Sequence, residues 1–322
     1  MKAQRVVFRD KGKVELEAFE AASPSAGQVQ VRLLYSVISP GTELAFLHMM
    51  PNAVTEFPTY AGYSASGRIT AVGPDTDDCR EGQLVAVPAG HGSHAVLDGA
   101  ACWSVPEGLD PRDAAAFRLV SIALQGVRKA EIRPGQSVAV LGLGIIGNLA
   151  GQLVREAGAT RVVGIDPVAW RRALAESCGF DTVCEGPEAL GDAATDVVIE
   201  ATGAPEAVNT AFGLAARLGR VILLGSTRGT TKEVNFYRDV HKKGLTVIGA
   251  HDSMRAAVED QGALFTHRSD GRTALSMLAA GRVRVGPLLS DTVGPDQVVE
   301  AYARLGGRQE PLMTIAIRWS DD

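Results

Sequence analysis

The sequence predicts an α/β protein of two domains, a partly barrelled β domain followed by a doubly wound parallel sheet. Up to about residue 115 it reads as short strands closed by glycine-rich corners. Beyond Pro111 the period changes, and apolar, β-branched runs alternate with helical stretches. Between the first of those runs and its helix lies Gly142-Leu143-Gly144-Ile145-Ile146-Gly147, a glycine-spaced turn in a strand–turn–helix setting. The expected boundaries are residues 1–115 for the β domain, 116–275 for the parallel-sheet domain, and 276–322 for a segment returning to the first.

In chain order, the amino-terminal stretch alternates like a strand pair around a Lys11-Gly12-Lys13 turn. Val29–Tyr35 alternates with period two, Gly67–Pro74 is a strand closed by a glycine–proline turn, and Gln83–Pro88 and Ser93–Leu97 read as further strands. Ser39-Pro40-Gly41-Thr42 reads as a turn. Pro111–Val127 supplies one or two helices. Val138–Leu141, Val162–Ile165, Val197–Ile199, Val221–Leu224 and Thr246–Ile248 are apolar throughout rather than alternating, as expected of parallel strands covered on both faces. A helix at Asp296–Leu305 and a closing strand at Leu312–Trp319 end the chain.

Each glycine of the turn answers a physical demand. Gly142 permits the tight strand-to-helix turn, Gly144 removes a side chain where backbone must approach a pyrophosphate, and Gly147 lets the helix pack closely on the strand. Free N–H groups at Ile145 and Ile146, with the helix dipole, suit the phosphates. The next strand ends at Asp166, whose carboxylate accepts hydrogen bonds from a ribose diol and repels a 2′-phosphate. This dinucleotide-binding fingerprint, the mark of a Rossmann domain, favours NAD over NADP; Arg171 and Arg172 stand against that preference, because a guanidinium there can meet the phosphate. Thr202-Gly203 and Gly225-Ser226 follow later strands and line the expected groove edge. A nicotinamide-dependent oxidoreductase is the leading expectation.

Composition narrows the alternatives. The 322 residues are 46% hydrophobic and 21% charged, enough for a substantial core, and the net charge of -5 argues against a nucleic-acid partner. Cys79, Cys102, Cys178 and Cys184 have neither disulfide-scaffold density nor a CxxC spacing, which fits a reducing, cytoplasmic setting. No segment approaches the roughly 18-residue apolar stretch of a membrane span, and the amino terminus does not read as a signal peptide.

The stretches YSVISPGTE, TYAGYSASGRITAVG, REGQLVAV, the glycine turn, IEATGAP and GRVILLGS together resemble the medium-chain dehydrogenase/reductase superfamily. The resemblance implies a GroES-like catalytic domain, a Rossmann domain inserted after it, and a carboxy-terminal return. Ser39–Glu43 and His241–Leu245 are most similar to a zinc-lacking, divergent branch that includes bacteriochlorophyllide hydroxyethyl dehydrogenases. Zinc-dependent members carry a cysteine in the segment matching Ser39-Pro40 and a His–Glu pair where this chain has Tyr63 and Ser64; both are absent here, as is the cysteine-rich structural lobe. The expectation is therefore an enzyme with no metal.

By the same resemblance, Thr42 meets the substrate oxygen, Glu43 tunes Thr42 or fixes its loop, Tyr63 takes the place of the lost histidine ligand, and Ser121 lies near the nicotinamide carboxamide. The residues themselves leave alternatives open: Thr42 as a turn cap, Tyr63 as cleft wall, Arg118 as substrate anchor or salt-bridge partner. His48-Met49-Met50 with Phe46 and Phe57 forms either a soft substrate wall or a packed loop. His91, in Ala89-Gly90-His91-Gly92, is a candidate acid–base group. The expected reaction interconverts an alcohol and a carbonyl on a functionalised metabolite or biosynthetic intermediate, with reduction of an activated C=C or C=N bond as the alternative. A cofactor-binding sensory protein is disfavoured by the retained Thr42-Glu43 pair. Superfamily precedent implies a homodimer through the sheet edge.

Overall fold

This computed structural model of the chain describes residues 2–53, 55–76, 78–191, 194–256, 265–307 and 309–321. The chain divides into two compact units: Met1–Arg118 with Gly271–Gly281 and Val285–Asp322, and Leu119–Asp270 with Arg282–Arg284. In order, the elements are β1 (Lys2–Asp10), β2 (Lys13–Glu20), β3 (Gln28–Val37), α1 (Pro40–Leu47), β4 (Thr59–Tyr60), β5 (Ala65–Val72), β6 (Leu84–Val87), β7 (His94–Asp98) and β8 (Trp103–Ser104). The helices α2 (Pro111–Ala114) and α3 (Phe117–Ala130) follow. Then come β9 (Ser137–Leu141), α4 (Ile145–Glu156), β10 (Arg161–Ile165), α5 (Ala169–Ser177), β11 (Thr182–Cys184), β12 (Thr195–Glu200), α6 (Ala207–Leu214), β13 (Ala215–Leu223) and β14 (Thr246–Gly249). The chain ends with α7 (His267–Ala279), β15 (Leu289–Val293), α8 (Val298–Gly307) and β16 (Thr314–Arg318).

The first unit is built around β3. Along one edge this strand pairs antiparallel with β5. Along the other it pairs with β7 over Gln28–Arg32 and then with β16 over Tyr35–Val37. One strand with three partners curls its sheet, whose order is β15-β16-β3-β5-β6-β8 with β7 added on β3. A second sheet, β2-β1-β4, joins it where the Val6 amide donates to the His91 carbonyl at 2.9 Å. Val29, Val31, Leu33, Ile69, Val85 and Val87 fill the barrel side, while Phe8, Ile38, Val298, Tyr302, Ile315 and Ile317 pack a second cluster beneath α8. This is the partly barrelled, GroES-like β domain expected.

The second unit is an all-parallel sheet of order β11-β10-β9-β12-β13-β14. Its first strand, β9, is central, so the strand order reverses between β9 and β12; ligands of such sheets bind at that reversal. Leu141, Ile165, Val198, Phe212 and Val221 pack between the sheet and α6. Among the described residues no helix is long and apolar enough to cross a membrane.

Local differences from the sequence expectations have local causes. The Ser39–Thr42 turn is the entrance to α1, with Pro40 at its first helical position, where no N–H is required. β11 is three residues long, too short for any periodicity to show. β13 begins earlier than its apolar run, because Thr195 pairs with Ala215 but Val197 with Arg220, so residues 216–219 loop out of the ladder. Leu218 stands on that excursion with a φ of 62° and is 82% exposed.

Gly151 faces the Phe180 ring from inside α4: a Cβ added there would lie 1.9 Å from Cζ. Alanine is the better helix former by about 1 kcal/mol, but overpacking a rigid buried ring costs about 1–3 kcal/mol, so the clash is expected to win. Gly151→Ala is expected to lower the urea midpoint of the second unit's unfolding; an unchanged or raised midpoint would show that Phe180 yields freely.

Candidate active site

In the second unit, β9 runs out at Leu141 into Gly142, whose φ of +90° strains any residue with a side chain. The Gly142 amide donates to the Ile165 carbonyl at 2.8 Å, tying the turn to the end of β10. Gly147 is required by close approach, since a Cβ there would meet the Gly142 carbonyl oxygen at 1.8 Å. Gly144 differs: nothing lies within 4 Å of where its Cβ would be. The protein itself does not need a glycine at 144, so its bare backbone presents open space. Gly144 also N-caps α4 without any side-chain hydrogen bond, which leaves the first-turn amides of Ile145 and Ile146 to face an anion. These residues fit the diphosphate of a dinucleotide.

Asp166 closes β10 and is 3% exposed. Its Oδ2 accepts from the Leu143 amide at 2.8 Å and its Oδ1 from the Val168 amide at 2.9 Å, so the carboxylate helps to shape the glycine turn. Each oxygen keeps a further lone pair for a ligand hydroxyl. The Arg171 guanidinium stands 3.6 Å from Oδ2, while Arg172 is committed to the Asp166 and Pro167 carbonyls at 2.8 and 2.9 Å. Thr202 follows β12, and its hydroxyl and amide both donate to the Glu200 carboxyl. The Gly225 amide donates to the Glu200 carbonyl at 2.7 Å, and Ser226 beyond it is exposed. Ser121 is fully buried on α3; its carbonyl accepts from Arg255, which in turn pairs with the buried Asp270 at 2.8 Å.

In the first unit, donors from three stretches of chain gather around a buried carboxylate on the first turn of α1. Glu43 is 2% exposed. Its Oε1 accepts from the Ser39 amide at 2.6 Å; its Oε2 accepts from His91 Nε2 at 3.0 Å and from the Tyr302 hydroxyl. His91 Nδ1 lies 2.7 Å from Ser36 Oγ, and Ser36 Oγ accepts from Trp319 Nε1 at 2.8 Å. Trp319 donates to Ser36 and His91 Nε2 to Glu43, and the Ser36–His91 hydrogen bond joins the two. Gly62 makes room for this imidazole, for a Cβ there would press on the ring at 2.7 Å. His91 and Glu43, both proposed from sequence for the chemistry, thus lie in the interior with their polar atoms bonded within the unit.

Two other sequence-chosen residues face the same turn. Thr42 is partly exposed, with its amide donating to the Ser39 carbonyl at 3.1 Å. The Tyr63 hydroxyl donates to Ser39 Oγ at 2.7 Å and is within hydrogen-bonding reach of Thr42. Burial pushes the Tyr63 phenol up to about 12 against the effect of its hydrogen bond with Ser39; the Glu43 charge pushes the same way, and Thr42 and Arg118 oppose it. At neutral pH this phenol keeps its O–H proton and is not a phenolate base. Arg118 sits at the end of the unit with its amide donating to Ser64 Oγ at 3.3 Å. Phe46, His48, Met49 and Met50 all reach the surface on α1 and the turn after it.

Ser36, Ser39, Tyr302 and Trp319 were missed by sequence reasoning. The last two come from α8 and the stretch after β16, far along the chain, and carried no local signal. Among the described residues no group of three or more His, Cys, Asp or Glu side chains is placed to hold a metal ion. The donor set of these hydroxyls and this committed Glu–His pair does not suit zinc, which requires three protein ligands.

Residues 146–265 match the model of the zinc-binding dehydrogenase family. The D-guloside 3-dehydrogenase of Shigella flexneri is 30% identical over 154 residues, 45% of this chain and 44% of that protein; the chain thus spans under half the length of this relative. A Sinorhizobium meliloti 1021 protein bound to NADP superposes with a TM-score of 0.85 at 22% identity, covering 99% of each chain. A short chain alcohol dehydrogenase of Escherichia coli CFT073 in complex with NADH gives 0.86 at 17% identity, covering 98% of this chain and 99% of that one. At these identities the two structures speak for the fold alone.

Tyr302→Phe keeps the ring, and with it the edge-on packing at 5.3 Å against Phe8, but removes a donor to a buried carboxylate. The loss is expected to destabilise the first unit by about 2 kcal/mol, read as a lower urea midpoint with unchanged circular dichroism. A midpoint equal to that of the wild type would mean that Glu43 does not depend on this bond.

Proposed function

We propose, for a chain that belongs to the zinc-binding-dehydrogenase (medium-chain dehydrogenase/reductase) superfamily of NAD(P)-linked oxidoreductases, that it interconverts an alcohol and a carbonyl with NAD(H) and without a metal at the substrate oxygen. It falls, in this reading, in a zinc-lacking branch of that superfamily. The substrate class we favour is a polyhydroxylated metabolite, as the sugar and sugar-acid dehydrogenases among its relatives suggest. The observation that carries the reading is the hydroxyl cluster of Ser39, Thr42 and Tyr63 at the head of α1.

The nicotinamide, when bound, supplies the hydride donor or acceptor. Reduction of a carbonyl builds negative charge on oxygen, and oxidation of an alcohol releases a proton, so the oxygen needs a partner that stabilises charge and moves a proton. Thr42 is our choice for direct contact. Tyr63, protonated over the whole working range, holds the substrate oxygen by turning its O–H from Ser39 Oγ to that oxygen. Glu43 and His91 are positioning residues: they clamp the Ser39 amide, and so the entrance of α1, in one place.

For the cofactor, the groove we assign comprises Gly142, Gly144, Ile145, Ile146, Gly147, Asp166, Arg171, Thr202, Gly225 and Ser226, with Ser121 at the nicotinamide end. Asp166 supports NAD, because a buried carboxylate held by two amides repels a 2′-phosphate; Arg171 beside it lessens that repulsion. A homodimer along β14 is our reading of the assembly: the strand ends the sheet, and Val247 on it is exposed.

Four outcomes test this. Fluorescence titration is expected to give a tighter Kd for NADH than for NADPH, and Asp166→Ala is expected to weaken NADH about tenfold and narrow the gap between them. Thr42→Val is expected to lower kcat about a hundredfold or more on a panel of polyols and sugar acids, with the NADH Kd unchanged. Turnover measured in a strong chelator is expected to persist; loss of activity restored only by zinc would sink the metal-free reading. Uptake of neither nucleotide would sink the whole of it.

A further inference from the structure

Glu200 ends β12 beside Leu141 of β9, at the reversal of strand order, and is fully buried. Its Oε1 accepts three hydrogen bonds from the turn that follows: the Thr202 amide at 2.7 Å, the Thr202 hydroxyl, and the Gly203 amide at 3.3 Å. Its Oε2 is buried with no hydrogen-bond partner. Burial pushes the carboxyl's pKa upward, with the donations from Thr202 and Gly203 opposing it. Three donors meet on Oε1, and none answers Oε2.

The turn that Glu200 holds is packed against the glycine turn on one side. A Cβ on Gly142 would lie 2.8 to 2.9 Å from the Thr202 Cγ2, Cα and N atoms. On the other side, a Cβ on Gly225 would fall 2.8 Å from the Gly203 amide nitrogen and 2.9 Å from Glu200 Oε2. Three consecutive strand ends in the sheet, those of β9, β12 and β13, therefore stack backbone on backbone over this carboxyl. Any loosening of the middle turn frees Gly142, and Gly142 sets where Gly144 and the start of α4 stand.

We propose that Glu200 is a positioning residue of the dinucleotide site, pinning the Thr202–Gly203 turn against Gly142 and thereby holding the amides of Ile145 and Ile146 in register for a diphosphate. This rests on the dinucleotide reading given above. The work is done by an accepting oxygen, not by charge, so an amide serves as well as an acid.

The test uses the full chain with Glu200→Gln, Glu200→Ala and Glu200→Asp, measuring NADH affinity and amide hydrogen exchange without nucleotide. Glu200→Gln is expected to hold NADH within about twofold of the wild type, since its amide oxygen replaces Oε1. Glu200→Ala, and Glu200→Asp with its acceptor withdrawn by one methylene, are expected to weaken NADH about tenfold. The same two variants are expected to speed exchange at Thr202, Gly203 and Gly142, while exchange at His91 in the first unit stays as in the wild type. Should Glu200→Ala not fold, the Gln and Asp variants decide between them. Wild-type affinity in Glu200→Ala or Glu200→Asp overturns the proposal, and so does a Gln variant as weak as either. Wild-type protein that takes up no NADH or NADPH fails the dinucleotide reading itself, a result distinct from tight binding by every variant.

Discussion

The first unit depends on one buried negative charge. Removing a carboxylate from water costs several kcal/mol unless it is well met by donors. Glu43 is met by three, from a backbone amide, an imidazole and a phenol. Burial first, and then the Glu43 charge, drive the Tyr302 phenol well above its ordinary pKa, so it remains a donor. Because the donors come from α1, the segment before β7 and α8, the same charge draws three stretches of chain together. Its consequence is a fixed α1 entrance, with Ser39 buried beneath it and Thr42 half-exposed.

The second unit meets its constraint with missing side chains. Gly142, Gly147 and Gly225 each face backbone at distances that admit no Cβ. Gly144 faces open space instead. The contrast separates glycines that the fold needs from the one that a ligand would need. Asp166 and Glu200 are both buried acids at strand ends, yet they differ in kind. Asp166 shares each oxygen with a backbone amide and has Arg171 beside it, whereas Glu200 places three donors on one oxygen and none on the other. The first keeps accepting capacity on both oxygens for a ligand; the second braces a turn through one oxygen alone.

The two units also differ in how much of each was legible. Parallel strands buried on both faces are apolar at every position, so Val138–Leu141 and Val162–Ile165 announce themselves, and the glycine turn follows from its spacing. The carboxyl at Glu200 gave a weaker sign: an acid closing an apolar strand, beside a Thr-Gly pair. In the first unit the strands were legible from alternation and corners, but α1 hid behind a Ser-Pro-Gly sequence that also suits a turn.

What the sequence by itself determined is what acts over a few residues: strand periodicity, the glycine-spaced turn, and the acid at the end of the second strand. These obey local steric and solvation rules that need no partner. Only the tertiary structure decided that His91 is an interior residue bonded to Glu43 and Ser36, and that Tyr302 and Trp319 complete its setting. Such bonds join residues 48 to 283 positions apart, and a side chain's role as donor, acceptor or filler is set by whatever the fold places within about 3 Å of it, a distance that sequence spacing does not encode.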